Sequence, residues 1–140
     1  MMISTRGRYA LRVMVDLAET GSEGYVAMKT IAARQGISLK YLERILPDLT
    51  KGGLVEGVQG KGGGYKLCRA PEDYRVGEIL RLTEGDLAPV SCLEEGAEDC
   101  GHTCDCRTRK LWQGLYKLID EYFDSVTLAD LMQKDPSETK

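Results

Sequence analysis

The chain of 140 residues contains no apolar run approaching the ~20 residues that a helix needs to cross a bilayer, so a helical membrane span is excluded. It carries a single histidine and shows no nucleophile beside an evident base, and no nucleotide-binding or metallohydrolase motif. No enzyme is expected. A phosphate loop fails on its own residues, because Lys61 is followed by Gly62 rather than Ser or Thr and a strand pattern follows where a helix is required. Internal repeats are absent. The N-terminal stretch lacks an uninterrupted apolar core, being broken by Arg6, Arg8, Arg12 and Asp16, so it does not read as a secretory signal and a cytoplasmic location is expected.

What is present is ordinary globular composition, 42% hydrophobic and 29% charged, at a length that suits one domain. The net charge of −3 hides an asymmetry. Residues 1–66 hold 10 Lys/Arg against 6 Asp/Glu, a balance of +4, and residues 67–140 hold 9 against 16, a balance of −7. The basic half suits phosphate, and the acidic half suits another task.

Ser4 and Thr5 are candidate caps of a first helix, in which Tyr9, Val13, Leu17 and Ala10, Met14, Ala18 recur four apart. A short helix is expected from about 27 to 34, with Met28, Ile31 and Ala32 inward, broken by Gly36. Ser38 caps a third helix with the stripe Leu39, Leu42, Ile45, Leu46 and Leu49; Pro47 should kink or break it. After Gly53 the period falls to two, and Leu54–Val58 and Tyr65–Cys68 flank a glycine-rich tip, which reads as a hairpin. A helix from about 76 to 83 follows. Residues 85–106 show no periodicity and hold four of the five cysteines, so they form a long loop of the kind usually reserved for function.

From Arg107 a long amphipathic helix is expected, with Leu111, Leu115, Leu118, Tyr122 and Val126 on one stripe and Trp112, Tyr116, Ile119 and Phe123 beside it. Such a wide apolar face suits a partner helix from a second subunit; the alternative is that it covers the chain's own core. Thr127 caps a last short helix to Met132, and 133–140 reads as a tail.

The fold class expected is mainly α with a small β-hairpin wing: a winged helix-turn-helix domain over 1–84, a cysteine-rich loop over 85–106, and a dimerisation helix with a short terminal helix over 107–132. A recognition helix enters a major groove when its outward side chains are long and polar. Lys40, Tyr41, Glu43, Arg44 and Lys51 alternate with the apolar stripe in that way. Arg44 suits guanine O6 and N7, Glu43 suits cytosine N4, and Ser38, Lys40 and Tyr41 suit phosphates. Gln59, Gly60 and Lys61 form a slim wing tip. A merely solvated helix face is the competing reading.

The stretches Ser4–Ala10, Ile31–Ala32 through Gln35–Ser38, Tyr41–Glu43, Gly53–Val55 and Gly62–Tyr65 together resemble the Rrf-type family of bacterial transcription regulators, over about Met2 to Met132. The resemblance implies a homodimer on double-stranded DNA with a pseudo-palindromic operator. It also implies DNA contacts at Thr5, Arg6, Ser38, Tyr41, Glu43 and the Gly60–Lys61 tip.

Cys92, Cys100, Cys104 and Cys106 lie within fifteen positions on one irregular segment, where four thiols can converge on a soft metal centre. An iron-sulfur cluster, 2Fe-2S or 4Fe-4S, is the expected ligand, with zinc or no metal as alternatives. Acidic neighbours should raise most of these thiol pKa values, but Cys106 sits by the long helix and near Arg107, Arg109 and Lys110, which favour thiolate. In cluster-binding members of the resembled family three loop cysteines are ligands, and alignment on Leu111-Trp112 implies Cys92, Cys100 and Cys106. The fourth ligand departs from the pattern, because Arg109 and Arg8 stand where relatives place their histidine or carboxylate. Cys104 is the substitute, with His102 behind it. Cys68 is expected to be a small buried hydrophobe.

The reading is therefore a regulator, repressor or activator, whose operator affinity is set by a cluster in the Cys92–Cys106 loop. The runner-up is a metal-free regulator of the same fold that senses sulfur supply through a thiol or a protein partner. A small electron-transfer or metal-carrier protein is the third.

Overall fold

The structure is a computed structural model that describes residues 3–20, 24–97 and 106–132. Its elements are α1 (Thr5–Thr20), α2 (Met28–Gln35), α3 (Leu39–Lys51), β1 (Val55–Val58), β2 (Gly64–Leu67), α4 (Val76–Glu84), α5 (Arg109–Ser125) and α6 (Leu128–Leu131), with 3-10 turns at Pro71–Asp73 and Ser91–Leu93. The fold is mainly helical with one antiparallel hairpin and a C-terminal helix, as the periodicities indicate.

Each boundary has a local cause. Ser4 Oγ accepts from Gly7 N at 3.3 Å and caps α1. Gly36 adopts φ 65° and closes α2 with its N–H on the Ala32 carbonyl, a conformation costly for a residue with a Cβ. Ser38 Oγ then accepts from Tyr41 N at 3.1 Å and starts α3. Two helices joined through Gly36, Ile37 and Ser38 form the helix-turn-helix.

α3 runs unbroken through Pro47, contrary to the expected break. Pro47 is exposed, so its ring takes no room from the core, and the burial of Leu42, Ile45, Leu46 and Leu49 on the inward face carries the helix past the missing N–H. Leu39 departs from the expected buried stripe and is 41% exposed. At the first helical position its side chain tilts back past the helix start, where no element covers it.

The core is built from Ala10, Val13, Met14 and Leu17 of α1, Ile31 of α2, Leu42, Ile45, Leu46 and Leu49 of α3, and Leu54, Tyr74, Ile79 and Leu128. Tyr74 is its polar pin. Its hydroxyl donates to the Leu54 carbonyl at 2.6 Å and accepts from Cys68 N at 2.9 Å and Arg69 N at 3.1 Å, tying both feet of the hairpin to one buried atom. Burial pushes that phenol's pKa up.

The hairpin pairs Val55 with Leu67 and Val58 with Gly64. Val26 adds a one-residue third strand, exchanging two 2.8 Å bonds with Tyr65. A Cβ on Gly64 would lie 2.2 Å from the Val26 carbonyl oxygen, so this approach requires glycine. The strict alternation expected of β1 is absent: Leu54 and Val55 are buried and the next residues exposed, because the distal hairpin projects beyond the core as a wing. Cys68 is exposed, correcting its expected burial, since pairing ends at Leu67 and the chain turns outward there.

A second, smaller cluster joins Val76, Leu80 and Leu87 to Ile3, Leu11, Tyr116, Ile119, Phe123 and Val126. It seats α5 on α4. Arg81 reinforces the contact, reaching Asp120 at 2.8 Å and Asp124 at 2.8 and 3.1 Å; the two carboxylates push its guanidinium pKa further up. Thr127 caps α6 in a reciprocal box with Asp130.

Candidate nucleic-acid interface and cysteine segment

The face of α3 opposite its buried stripe carries Lys40, Glu43 and Arg44, all exposed. Lys40, Arg44 and the wing-tip Lys61 form no ion pair with any described residue, and Gln59 and Gly60 are exposed beside Lys61. Exposed cations without an acidic partner suit contact with phosphate.

The aromatic and charged residues behind this face hold it in register. Tyr41 packs edge-on to Tyr9 of α1 with ring centroids 5.2 Å apart, and Arg12 lies over Tyr9 while bonding the Gln35 side chain at 3.2 Å and the Gln35 carbonyl. Asp16, buried at the foot of α1, receives Arg34 at 2.7 and 3.1 Å and Gln35 Nε2 at 2.9 Å. The buried carboxylate is thus fully partnered, which locks α2 against α1.

The N-terminus of α1 adjoins α3. Thr5 Oγ1 accepts from Arg8 at 3.1 Å, and Arg6 forms an ion pair with Asp48 of α3. Between the two helices lies a cleft of about 360 Å³ lined by Arg6, Tyr41, Arg44, Ile45 and Asp48. Sequence reading passed over Asp48, whose acidic character gave no hint of a place on a basic face. It also passed over Lys29, an exposed cation in the first turn of α2 with no ion pair among the described residues; its position at the start of the first helix of the pair was the available signal.

Four expected cysteine-segment donors divide into two pairs. Cys92 is half-buried in the 3-10 turn Ser91–Leu93, and Cys106 is exposed just before α5. Cys100 and Cys104, together with His102, lie outside the described residues. Among the described residues no three side chains form a metal-holding group. Cys106 Sγ lies 3.5 Å from Thr108 Oγ1. That hydrogen bond, then the Thr108 and Arg109 backbone N–H groups and the Arg109 charge, lower its thiol pKa, so its chemistry suits a thiolate ligand or a reactive thiol. The segment leaving α4 is itself braced, because Asp86 accepts from Ala88 N at 3.0 Å and Glu95 N at 2.9 Å.

α5 divides the expected seam residues. Ile119, Phe123 and Val126 pack on the second cluster within the chain, and Trp112 is half-buried. Leu111, Leu115, Leu118 and Tyr122 stand 62%, 38%, 63% and 65% exposed.

Comparison with known proteins agrees with this geometry. The family model described as Rrf2, iron-dependent transcriptional regulator, matches residues 3–134. The chain is 41% identical over 133 residues to protein rrf2 of Nitratidesulfovibrio vulgaris, covering 95% of this chain and 88% of that one. Among solved structures it is similar to CymR, named as the global cysteine regulator of B. subtilis, with a TM-score of 0.78 and 36% identity over 100% of this chain and 99% of that one. It is also similar to T. potens IscR, with a TM-score of 0.75 and 38% identity over 99% and 96%. The protein is a DNA-binding transcriptional regulator and no enzyme: the chain belongs to the Rrf2 family.

Proposed function

We propose that the protein acts in the cytoplasm as a homodimer that grips a pseudo-palindromic operator in double-stranded DNA and whose grip is set by the state of the Cys92–Cys106 segment. The observation that carries this reading is where the segment sits. It leaves α4, which seats α5 through Arg81 and the second apolar cluster, and returns at Cys106 directly before α5, whose outer leucine stripe is uncovered. Its conformation therefore bears on the angle between the reading head and the helix that pairs subunits.

In this reading residues 1–84 bind DNA. Arg44 takes guanine, Glu43 cytosine, and Thr5, Arg6, Ser38, Lys40 and Tyr41 fix phosphates, with Gln59, Gly60 and Lys61 at the flanking groove. Leu111, Trp112, Leu115, Leu118 and Tyr122 form the subunit seam, flanked by Ile119, Phe123 and Val126. Reading heads must meet successive major grooves about 34 Å apart, so a small rotation at the seam costs one half-site. A coupling of about 1 to 3 kcal/mol is enough for a several-fold to hundredfold change in affinity.

The donor chemistry fits an iron-sulfur cluster: Cys92, Cys100 and Cys106 as ligands, Cys104 as the fourth, all soft thiolates. When bound, the cluster would supply an oxidant-sensitive cross-link between the α4 end and the α5 start. Iron, sulfide and zinc are measured after purification without oxygen, beside a Cys92→Ala, Cys100→Ala, Cys106→Ala variant. Near-stoichiometric iron and sulfide in the wild type, lost in the variant, is expected; a colourless, iron-free wild type overturns it.

A metal-free regulator of the same fold, working through a thiol or a protein partner, is favoured by one observation, the lowered pKa of the exposed Cys106. A wild type that lacks metal and loses operator binding on oxidation of Cys106 would support it.

A further inference from the structure

We propose that the cleft between α1 and α3 is a preformed seat for one DNA phosphodiester, and that Asp48 is the positioning residue that holds Arg6 in it. This rests on the reading of α3 as the DNA-facing helix. The acidic residue on the basic face is the clue. Asp48 Oδ2 lies under Arg6 and, among the described residues, has no hydrogen-bond partner beyond that ion pair. Arg6 is the group that covers that oxygen, because the Asp48 side chain is otherwise 34% exposed, so the ion pair fixes where the guanidinium sits.

The pair therefore directs Arg6. A guanidinium has five N–H donors in a fixed fork, so engagement with Asp48 leaves others free and restricts their direction. Arg44 lies one turn before Asp48 on α3 and lines the same cleft with Tyr41. Arg44 keeps its guanine in this reading and contributes only its field, so that Arg6, Arg44 and Asp48 together present a charge of +1 to the single negative charge of a phosphodiester. Tyr41, held edge-on by Tyr9, closes the side of the cleft. Exchange of Asp48 for phosphate is the obvious alternative, and the sign of the Asp48→Ala effect separates it from positioning.

The two roles predict opposite signs. Simple electrostatics has removal of Asp48 tighten DNA binding, since a negative charge leaves the interface. Positioning has it weaken. The test uses the full chain and a mixed-sequence duplex of about 30 base pairs, followed by fluorescence anisotropy across a salt series. Asp48→Ala should weaken binding about five- to tenfold and lower the slope of log K against log salt by about 0.9 per subunit, the value of one lost phosphate contact. Asp48→Asn, which keeps a carbonyl acceptor for Arg6, should recover most of the loss. In an Arg6→Ala background Asp48→Ala should cause no additional weakening.

Binding by Asp48→Ala as tight as or tighter than wild type, with an unchanged slope, overturns the proposal; so does equal weakening with and without Arg6. A wild type whose binding ignores salt, together with an Arg44→Ala variant that binds normally, would instead overturn the placement of α3 against DNA.

Discussion

α3 and α5 are both amphipathic helices with a leucine stripe, yet they are used differently. The thirteen residues of α3 bury Leu42, Ile45, Leu46 and Leu49, whereas no residue among the seventeen of α5 is fully buried. α3 is clamped between α1, the hairpin and α4, and its stripe is consumed inside the chain. α5 lays one edge on α4 and leaves Leu111, Leu115, Leu118 and Tyr122 in solvent. The contrast teaches that periodicity reports which face of a helix is apolar, and nothing about what covers it.

Substitution on the two stripes exposes this difference most strongly. Leu46→Ala should cost about 3 to 5 kcal/mol in a urea melt, independent of protein concentration, because it opens a cavity in a closed core. Next, Leu111→Asp with Leu118→Asp should leave the melt of the dilute chain within about 0.5 kcal/mol of wild type, since both side chains are exposed. The same pair should weaken self-association about a hundredfold in sedimentation equilibrium. Equal melts for the two stripes, or unaltered association in the aspartate variant, would remove the distinction.

The hairpin sharpens the comparison in another way, since its base belongs to the core and its tip to the solvent. Tyr74→Phe keeps the ring and removes the hydroxyl that joins Leu54, Cys68 and Arg69, and should cost about 2 kcal/mol. Because the folded phenol has its pKa raised above its unfolded value, its neutral form stabilises the fold fully below pH ~10. That contribution fades as pH rises through the folded pKa, so the wild type should lose more stability than Tyr74→Phe in strongly alkaline melts.

The smallest effect separates two exposed thiols. Burial and the nearby Glu56 raise the Cys68 pKa, while Thr108 lowers that of Cys106. In chelator-treated protein near pH 7.5, iodoacetamide should modify Cys106 several-fold faster than Cys68, read by peptide mass spectrometry. Matching rates would place both thiols in equivalent surroundings and erase that difference between the two halves.

Much of the fold was legible because local signals agreed with the global packing. Ser38, Gly36 and the Leu42–Leu49 stripe each mark a helix end or an inward face by short-range chemistry. Leu39 and Cys68 were misread because burial depends on neighbours that spacing along the chain does not specify. The exposure of Lys40, Glu43 and Arg44 on α3 and of the wing tip was legible, because polar residues fall at the offsets between the apolar ones. Asp48 was not, since its meaning comes from its ion pair with Arg6, forty-two positions away.

The order of residues was sufficient to set the helix pair, the glycine-tipped wing, the apolar band of the last long helix and the clustering of thiols between them, because caps, turns and periodicity act within a few residues. Which half of that apolar band the chain covers for itself, how Tyr74 pins the hairpin, and which cations on the basic face stay free had to await the folded chain. Those outcomes depend on groups distant in sequence meeting at hydrogen-bond range, where burial turns a modest polar preference into a strict requirement for a partner.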